Sequence, residues 1–322
     1  MKKILVTREI HALGIDMLKA KGYEVDVASG DRPKTQKELI RLVKKKPYDA
    51  VVTILTDRID KAVFDAAPQA KIFANYAVGY DNVDIAEAKR RGIVVTNTPG
   101  DYSGCVAEHA IALMLALTTR LVEADAFTRK GRFKGFAPLA FLGTDLRGKT
   151  LGLVGAGRIG ELLARFASRG LDMKVLYSDV VRNAKIESEY GAVKASLDEV
   201  LRASDVVSLH VPLLPATEHL IDASKLSLMK KTAYLINTAR GKVVDENALV
   251  RALKAGQIAG AGLDVFEFEP KLAAGLSKLR NVVLTPHIAS SRESARSEMA
   301  RIVASNVIDF LEGGQPLNIV NP

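Results

Sequence analysis

The chain is predicted to be an α/β protein built from two doubly wound domains, each with a parallel sheet. Two observations predict this class: short β-branched runs alternate with longer amphipathic segments, and the alternation occurs twice along the chain. The length of 322 residues agrees with it, because single cores stop growing beyond roughly 250–300 residues. A prior of one domain per ~150 residues likewise gives two domains.

The first alternating set fills the N-terminal third of the chain. Strands are predicted over residues 4–7, 23–27, 50–54, 72–74 and 93–95, and helices over 10–21, 35–45 and 84–91. The run Asn97-Thr98-Pro99-Gly100 stops the last of these strands, since proline and glycine interrupt regular structure. We therefore place the first crossing between domains at this run.

A second alternating set begins at Thr150, after a long helical stretch predicted over residues 106–129. Its predicted strands cover residues 151–154, 174–177, 206–209, 234–237, 260–263 and 282–284. Residues 294–312 then repeat apolar side chains at helical spacing, and we expect this helix to fold back onto the N-terminal domain. The prediction is a discontinuous first domain, residues 1–99 with 288–322, around a second domain, residues 100–287.

The charge and the cysteine content argue against several classes of protein. The 46 basic and 37 acidic residues give a net charge of +9, but the basic residues are dispersed and form only short clusters such as Lys44-Lys45-Lys46. We therefore expect no nucleic-acid partner and only mild attraction of small anionic substrates. A single cysteine, Cys105, excludes an internal disulfide and a cysteine cluster for zinc or iron–sulfur, so no metal site is predicted.

The apolar runs of the chain are short. The run after Lys2-Lys3 is far too brief for the apolar region of a signal peptide. No run approaches the ~20 residues needed to cross a bilayer. We therefore expect a cytoplasmic protein without a membrane partner.

A glycine pattern predicts a dinucleotide site. The run Gly155-Ala-Gly157-Arg158-Ile159-Gly160 follows a predicted strand and opens a predicted helix. The first glycine permits a tight turn, the second lets backbone amides approach the pyrophosphate, and the third lets the helix pack near the sheet. Amides at the helix N-terminus then hold the phosphates.

Asp179 indicates which dinucleotide is bound. It ends the next predicted strand, about 20 residues past the last glycine, where a carboxylate accepts hydrogen bonds from the adenosine ribose. A 2′-phosphate would meet like charge there, so the sequence favours NAD over NADP, while Arg182 close by leaves room for some use of NADP. The alternative is that Asp179 is a solvated turn residue.

Three polar residues, Arg240, Glu269 and His287, follow predicted strands of the second set. Ligands of open α/β sheets bind at the carboxyl ends of strands, so these residues form a candidate catalytic set. The forked donors of arginine fit a carboxylate, histidine exchanges a proton near neutral pH, and a glutamate orients that histidine. The set suits hydride transfer to a 2-keto acid, although each residue alone is compatible with a structural role.

The chain resembles the D-isomer-specific 2-hydroxyacid dehydrogenases over nearly its whole length. The matching stretches, in order, are Asn75-Tyr-Ala-Val78-Gly79-Tyr-Asp-Asn-Val-Asp84, Gly148-Lys-Thr-Leu-Gly-Leu-Val-Gly155-Ala-Gly-Arg-Ile-Gly160, Leu235-Ile-Asn-Thr-Ala-Arg240-Gly-Lys-Val-Val-Asp245, Ala261-Gly-Leu-Asp264-Val-Phe-Glu-Phe-Glu269-Pro270 and Asn281-Val-Val-Leu-Thr-Pro-His287. This resemblance implies a flavodoxin-like substrate domain, a Rossmann coenzyme domain, a cleft between them, and a homodimer built around the coenzyme domains and the long helix.

The resemblance also implies roles for individual residues. Arg240 would hold the substrate carboxylate and carbonyl oxygen, His287 would donate the proton, and Glu269 would stabilise the protonated imidazole. Backbone amides of Val78 and Gly79 would anchor the carboxylate. The remaining implied contacts are Leu55 with the substrate, Asp264 with the nicotinamide amide, and His210, Pro212, Thr238 and Ala239 as lining of the cofactor site.

The substrate loops, residues 53–58 and 76–81, look most like those of the glyoxylate and hydroxypyruvate reductases. Phosphoglycerate dehydrogenases usually carry an arginine near Ile54, and phosphite dehydrogenases carry a lysine where Val78 stands. We therefore expect reduction of a small 2-keto acid with NADH. The alternatives left open are a D-3-phosphoglycerate dehydrogenase and a non-catalytic, NAD-sensing protein of the corepressor type.

Overall fold

The computed structural model describes residues 1–30 and 32–322, which divide into two units. Unit 1 comprises Met1–Asp101 and Ser291–Pro322, and unit 2 comprises Tyr102–Ser290. Unit 1 contains a five-stranded sheet and unit 2 a seven-stranded sheet, and the described pairings between their strands are parallel. The predicted class, an α/β fold with two parallel-sheet domains, is confirmed.

Unit 1 has the strand order of a flavodoxin-like sheet. Its strands are β1 (Lys3–Val6), β2 (Glu24–Val27), β3 (Ala50–Ile54), β4 (Ile72–Tyr76) and β5 (Val94–Thr96), in the order β2-β1-β3-β4-β5. Its intervening helices are α1 (Ala12–Ala20), α2 (Gln36–Val43), α3 (Lys61–Ala66) and α4 (Ile85–Arg90). Because ligands of such sheets bind outside the carboxyl ends of the strands, the loops after β3 and β4 are candidate binding loops.

Side-chain caps fix where these helices begin. Thr35 and Glu38 form a capping box at the start of α2, and Asp60 and Asp84 cap α3 and α4. Helix α3 is absent from the sequence-based prediction, because its six residues are too few to show a helical period. The strands β3 and β4 between them are buried almost throughout, as expected for a parallel sheet covered on both faces.

Unit 2 is a Rossmann-like sheet extended by one strand at one edge. It contains α5 (Ser103–Thr118), α6 (Leu121–Arg129), β6 (Thr150–Val154), α7 (Arg158–Gly170), β7 (Lys174–Ser178), α8 (Ala184–Tyr190), β8 (Val193–Lys194), α9 (Leu197–Ala203), β9 (Val206–Leu209), α10 (Ala223–Leu228), β10 (Tyr234–Asn237), α11 (Glu246–Lys254), β11 (Gly260–Leu263) and β12 (Val282–Leu284). The strand order is β12-β11-β10-β9-β6-β7-β8. The order reverses between β6 and β9, which is where dinucleotides bind in this type of sheet.

The last helix, α12 (Glu293–Leu311), packs against α1 in unit 1. The two helices approach closely at Gly14, where a Cβ atom would lie 2.7 Å from the carbonyl oxygen of Ala300. The buried face of α12 includes Met299, Val303 and Val307, which recur at helical spacing.

The long helical stretch predicted over residues 106–129 consists of two helices in the structure, α5 and α6, which meet at a 64° bend. Thr144 donates its backbone N–H to the carbonyl oxygen of Thr118 at 2.8 Å, so this carbonyl does not continue the helical ladder. Arg120 follows in the left-handed region, with φ at 55°. Among the described residues, no single helix is long and apolar enough to span a membrane. The bent pair α5 and α6 has the required length and composition only when the two helices are taken together.

Candidate active site

The glycine run forms the turn between β6 and α7. Gly155 has φ at +95°, and a Cβ atom there would lie 2.8 Å from the carbonyl carbon of His210. A Cβ on Gly160 would lie 2.4 Å from the carbonyl oxygen of Gly155, so the helix can approach the strand only with glycine at this position. Gly157 has open space around its Cβ position, which leaves the backbone accessible to a ligand.

Helix α7 begins directly after this turn. Arg158 and Ile159 are its first two residues, and Gly157 precedes them as the N-terminal cap without a side chain. Amide N–H groups of the first turn of a helix have no intrahelical partner, and the helix dipole favours anions there. The start of α7 therefore has the geometry and the polarity of a phosphate site.

Asp179 directly follows β7, beside the glycine turn. Its Oδ2 atom accepts a 2.7 Å hydrogen bond from the backbone N–H of Ala156, and its Oδ1 atom accepts a 3.0 Å bond from Val181. The carboxylate thus links the residue after β7 to the glycine turn. Each of its oxygens retains a lone pair that can accept a hydrogen bond from a further donor.

Arg182 is engaged by Glu187. Its Nε and Nη2 atoms lie 2.8 and 2.7 Å from Glu187 Oε2, while the hydroxyl of Tyr177 donates to Glu187 Oε1 at 2.7 Å. The hydrogen bonds from Arg182 and then Tyr177 hold the pKa of the Glu187 carboxyl below its ordinary value. Arg182 would have to leave this carboxylate before it could bind another anion.

Two buried polar atoms line the predicted cofactor site without a protein partner among the described residues. They are Nδ1 of His210, which follows β9, and Oγ1 of Thr238, which follows β10. Burial lowers the pKa of His210 to about 4, so its imidazole is neutral, and its Nε2 atom lies 2.9 Å from the hydroxyl of Ser208. Buried polar groups in proteins are nearly always hydrogen-bonded, so both atoms fit a polar ligand such as a dinucleotide.

The neighbouring residues of these loops are held by short-range hydrogen bonds. The carbonyl oxygen of Pro212 accepts a 2.6 Å bond from Thr217, and the N–H of Ala239 donates to the side chain of Asn237 at 3.0 Å. Asn237 also donates to the backbone carbonyl of Arg240 at 3.0 Å. The turn that carries Arg240 is therefore fixed by the last residue of β10.

His287 and Glu269 contact each other. Nδ1 of His287 lies 3.1 Å from Oε2 of Glu269, and Oε1 of Glu269 accepts a 2.9 Å hydrogen bond from the N–H of Phe266. A carboxylate can only accept, so Nδ1 carries the hydrogen and Nε2 is left for chemistry. The pair has the arrangement of a general acid oriented by a carboxylate.

Asp264 holds the loop that carries this histidine. Its carboxylate, which has no exposed surface, accepts hydrogen bonds from the hydroxyl of Thr285 at 2.6 Å and from the amides of Ile288 and Ala289 at 2.8 Å each. His109 on α5 lies 3.4 Å from the same carboxylate and 3.0 Å from the Thr285 hydroxyl. Burial alone would raise the pKa of Asp264, but these hydrogen bonds hold it below its ordinary value.

The predicted substrate residues Leu55, Val78 and Gly79 lie in unit 1, after neighbouring strands. β3 and β4 are paired with Ile54 opposite Tyr76, so the turns that follow them are adjacent at the carboxyl edge of the sheet. The side chain of Val78 is 45% exposed, which makes this edge accessible. Unit 2 holds the remaining predicted site residues, after the strands β6, β7, β9, β10, β11 and β12.

Sequence reasoning missed several residues that organise the site. His109 lies 176 positions before Thr285, and Asn82 and Asn97 gave no signal of their contacts with the substrate loops. Of the described residues, no three histidine, cysteine, aspartate or glutamate side chains are grouped as metal ligands.

Comparison with known proteins gives consistent similarities. A sequence model described as "D-isomer specific 2-hydroxyacid dehydrogenase, NAD binding domain" matches residues 111–289. The glyoxylate reductase of Thermococcus litoralis is 50% identical over 323 aligned positions, which cover 99% of this chain and 96% of that protein.

Two solved structures differ in the cofactor that they contain. The NADPH-dependent glyoxylate/hydroxypyruvate reductase of Sinorhizobium meliloti, in complex with NADP and malonate, is 34% identical with a TM-score of 0.82, over 99% of this chain and 96% of that chain. The D-lactate dehydrogenase of Aquifex aeolicus, complexed with NAD and lactic acid, is 32% identical with a TM-score of 0.85, over 100% of this chain and 99% of that chain.

Proposed function

The chain belongs to the D-isomer specific 2-hydroxyacid dehydrogenases, and we propose that it reduces glyoxylate and hydroxypyruvate with NADH. It is an NAD(P)-dependent oxidoreductase that acts on a small 2-keto or 2-hydroxy acid. The contact between His287 and Glu269 carries the proposal, because it provides a general acid in the same unit as the glycine turn.

His287 acts as the acid in this mechanism. The glycine turn would hold NADH by its pyrophosphate, and the bound cofactor would supply the hydride that reduces the carbonyl carbon of the keto acid. Nε2 of His287 gives its proton to the carbonyl oxygen, which completes the 2-hydroxy acid. Glu269, 3.1 Å from Nδ1, stabilises the imidazolium before transfer and keeps the ring oriented.

Cationic and dipolar groups bind the substrate carboxylate. The guanidinium of Arg240 pairs with the carboxylate and polarises the carbonyl, which favours the negative charge that develops on its oxygen. Amides of Val78 and Gly79 bind the carboxylate, and the apolar side chain of Leu55 limits the size of the group attached to the carbonyl carbon. Substrates with small substituents are therefore preferred.

The cofactor residues proposed for this chain favour NADH. Gly155, Gly157, Arg158, Ile159 and Gly160 hold the pyrophosphate, and Asp179 binds the adenosine ribose. His210, Pro212, Thr238, Ala239 and Asp264 complete the lining around the nicotinamide half. NADPH use is limited by the charge of Asp179 and by the contact of Arg182 with Glu187.

A homodimer in the cytoplasm completes the proposal. The dimer is supported by an exposed apolar segment of unit 2, consisting of Phe133, Phe136, Leu139 and Leu142, which are 63–92% exposed. Contiguous exposed apolar side chains are typical of association surfaces. Light scattering of the purified protein is expected to give twice the chain mass of 34.7 kDa, and a monomer would contradict the proposed dimer.

A steady-state panel tests the function. Glyoxylate, hydroxypyruvate, pyruvate and 3-phosphohydroxypyruvate are each assayed with NADH and with NADPH. The expected result is the highest kcat/KM for glyoxylate or hydroxypyruvate with NADH, and D-glycerate as the product from hydroxypyruvate. Turnover of 3-phosphohydroxypyruvate alone, or tight NADH binding without turnover of any keto acid, would contradict it.

A further inference from the structure

Two asparagine side chains hold the loop after β4 by its carbonyl groups. Nδ2 of Asn97 donates to the carbonyl oxygen of Val78 at 2.7 Å, and Nδ2 of Asn75 donates to the carbonyl oxygen of Gly79 at 2.9 Å. Asn75 has no exposed surface and is the penultimate residue of β4, whereas Asn97 directly follows β5. Two consecutive carbonyls of the loop are therefore bonded to unit 1 itself.

This anchoring orients the peptide groups of the loop. In a planar trans peptide, the carbonyl and the N–H of the following residue point in opposite directions. With the carbonyls of Val78 and Gly79 turned toward the asparagines, the N–H groups of Gly79 and Tyr80 point away from them. Within the part of the chain that the structure describes, the amides of Val78, Gly79 and Tyr80 have no acceptor.

A third asparagine links this loop to the turn that carries Leu55. Asn82 and Asn75 exchange side-chain hydrogen bonds at 3.2 and 3.3 Å. Nδ2 of Asn82 also donates to the backbone carbonyl of Asp57 at 2.9 Å and to that of Ile54 at 3.2 Å. The same amide pair therefore holds both candidate substrate loops in register.

The anchor of Asn97 is itself supported from α12. Asn306, which is only 2% exposed, donates from Nδ2 to the backbone carbonyl of Asn97 at 3.1 Å. The buried side-chain amide of Asn306 on α12 thus holds Asn97, and Asn97 in turn holds the carbonyl of Val78. Such a chain of hydrogen bonds limits the positions available to the loop.

We propose that Asn75 and Asn97 are positioning residues: by holding the carbonyls of Gly79 and Val78, they turn the N–H groups of Tyr80 and Gly79 outward, where Gly79 binds the substrate carboxylate. This inference rests on the proposed function, because it assumes that a 2-keto acid is bound there. Amides fixed before the substrate arrives bind an anion without the cost of ordering the loop at that moment. Loss of either anchor should weaken substrate binding more than it slows the chemical step.

The test compares Asn97→Ala with Asn281→Ala. Asn281 precedes β12 in unit 2 and donates from Nδ2 to the carbonyls of Leu253 and Ala259, so it is a matched backbone anchor whose bonded carbonyls belong to unit 2. The readouts are KM and kcat for glyoxylate, the Kd of NADH, and the Kd of oxamate, an unreactive carboxylate analogue, in the presence of NADH. Tm is measured for each variant.

For Asn97→Ala we expect about a tenfold increase in both the KM of glyoxylate and the Kd of oxamate, the scale of one hydrogen bond to a charged group. The Kd of NADH should be unchanged and kcat should fall less than threefold. Asn281→Ala should lower Tm without changing KM or the oxamate Kd. Asn82→Ala is a second variant, in which the same increase is expected because the Asn75 amide loses its partner.

Different failures separate the two proposals. If the wild-type protein reduces no small 2-keto acid, the proposed function is wrong and the inference falls with it. If the wild type is active but Asn97→Ala and Asn82→Ala leave the oxamate Kd unchanged, the positioning role is wrong and the function stands. An equal weakening of NADH and oxamate binding would also overturn it, because this indicates a general structural defect.

Discussion

Gly241 packs against the backbone of Phe266 so closely that a Cβ atom would lie 1.9 Å from the Phe266 carbonyl carbon. Gly241 directly follows Arg240, and the N–H of Phe266 donates to Oε1 of Glu269. The turn that carries the proposed carboxylate-binding arginine is therefore in direct contact with the loop that orients the proposed acid. Only a residue without a side chain allows this approach.

Gly241→Ala is expected to separate the Arg240 turn from the loop of Glu269. The clash is with backbone rather than with a flexible side chain, so overpacking should cost about 1–3 kcal/mol of stability. Misplacement of catalytic groups by ~1 Å should lower kcat/KM on the order of 10²-fold. Gly170→Ala is the control, because outside its chain neighbours and the nearby backbone of its own helix nothing lies within 4 Å of its Cβ position. A fully active Gly241→Ala variant would contradict the role of this contact.

The His287–Glu269 pair predicts a change in pH dependence. His287→Ala should lower kcat for reduction by roughly 10²–10⁴-fold, the usual scale of acid–base catalysis. Glu269→Gln removes the negative charge that favours imidazolium, so the pH above which reduction declines should move to lower pH. The measurement is kcat and kcat/KM for glyoxylate between pH 5 and about 9, around the range where histidine titrates.

A second histidine–glutamate pair provides the control for this experiment. His219 lies 2.8 Å from Glu267, on the same loop as Glu269, but has no proposed catalytic role. His219→Ala should therefore keep the rate and the pH profile of the wild type. If His219→Ala and His287→Ala lowered kcat equally, the loss would come from a disturbed loop around Glu267 and Glu269 and not from removal of the acid.

Much of the fold could be predicted because buried faces of helices and strands require apolar residues at regular spacing in the sequence. The strand Tyr234–Asn237 is an apolar run that ends in polar residues, and the structure gives it the predicted bounds. The bend after α5 could not be predicted in this way. It depends on the hydrogen bond between Thr118 and Thr144, whose partner lies outside the helix.

In the candidate site, too, some residues could be predicted from local sequence and others could not. Arg240, Glu269 and His287 were recognisable because each is polar and follows an apolar strand. Asn97 and His109 act on backbone or side-chain atoms that are distant in sequence, at Val78 and Thr285, and neither residue type has a pattern that signals such a contact. Residues that bear chemistry can therefore be read from local context, whereas residues that position them require the fold.

Asp264 predicts a specific dependence of stability on acid. Its carboxyl has a folded-state pKa below the ordinary value of 3.8, so its contribution to stability is present above that value and is lost as the pH falls through the lower, folded pKa. Asp264→Asn should be less stable than wild type at pH 7 by about 1–3 kcal/mol, because an amide leaves one buried donor without an acceptor.

The difference in unfolding free energy between wild type and Asp264→Asn should become smaller below pH 3.8, where protonation of the Asp264 carboxylate begins to destabilise the wild type. Urea denaturation at pH 7 and at about pH 3 measures both quantities, with exposed Asp145→Asn as the matched control. A deficit that is the same at both pH values would mean that the charge of Asp264 does not contribute to stability.

We expect cofactor preference to depend on two carboxylates, one on Asp179 directly after β7 and one on Glu187 in α8. Asp179 binds the amides of Ala156 and Val181, whereas Glu187 binds Arg182. In the proposed function, the Asp179 carboxylate accepts the ribose hydroxyls and repels a 2′-phosphate. The Glu187 carboxylate pairs with Arg182, the nearby cation. Both features would act against NADPH.

Asp179→Ser should therefore narrow or invert the preference for NADH. NADH loses a charge-assisted hydrogen bond worth about 1.5–3 kcal/mol, while NADPH escapes the repulsion. The lost anchor to Ala156 weakens both cofactors alike, so the ratio of their kcat/KM values isolates the ribose interaction. In this background, Glu187→Gln should release Arg182 and favour NADPH by a further factor of roughly two to five, the modest scale of an exposed ion pair. Glu189→Gln, on the same helix, controls for the loss of charge. An unchanged kcat/KM ratio in Asp179→Ser would remove Asp179 from cofactor selection, because each of its proposed effects acts on one cofactor in preference to the other.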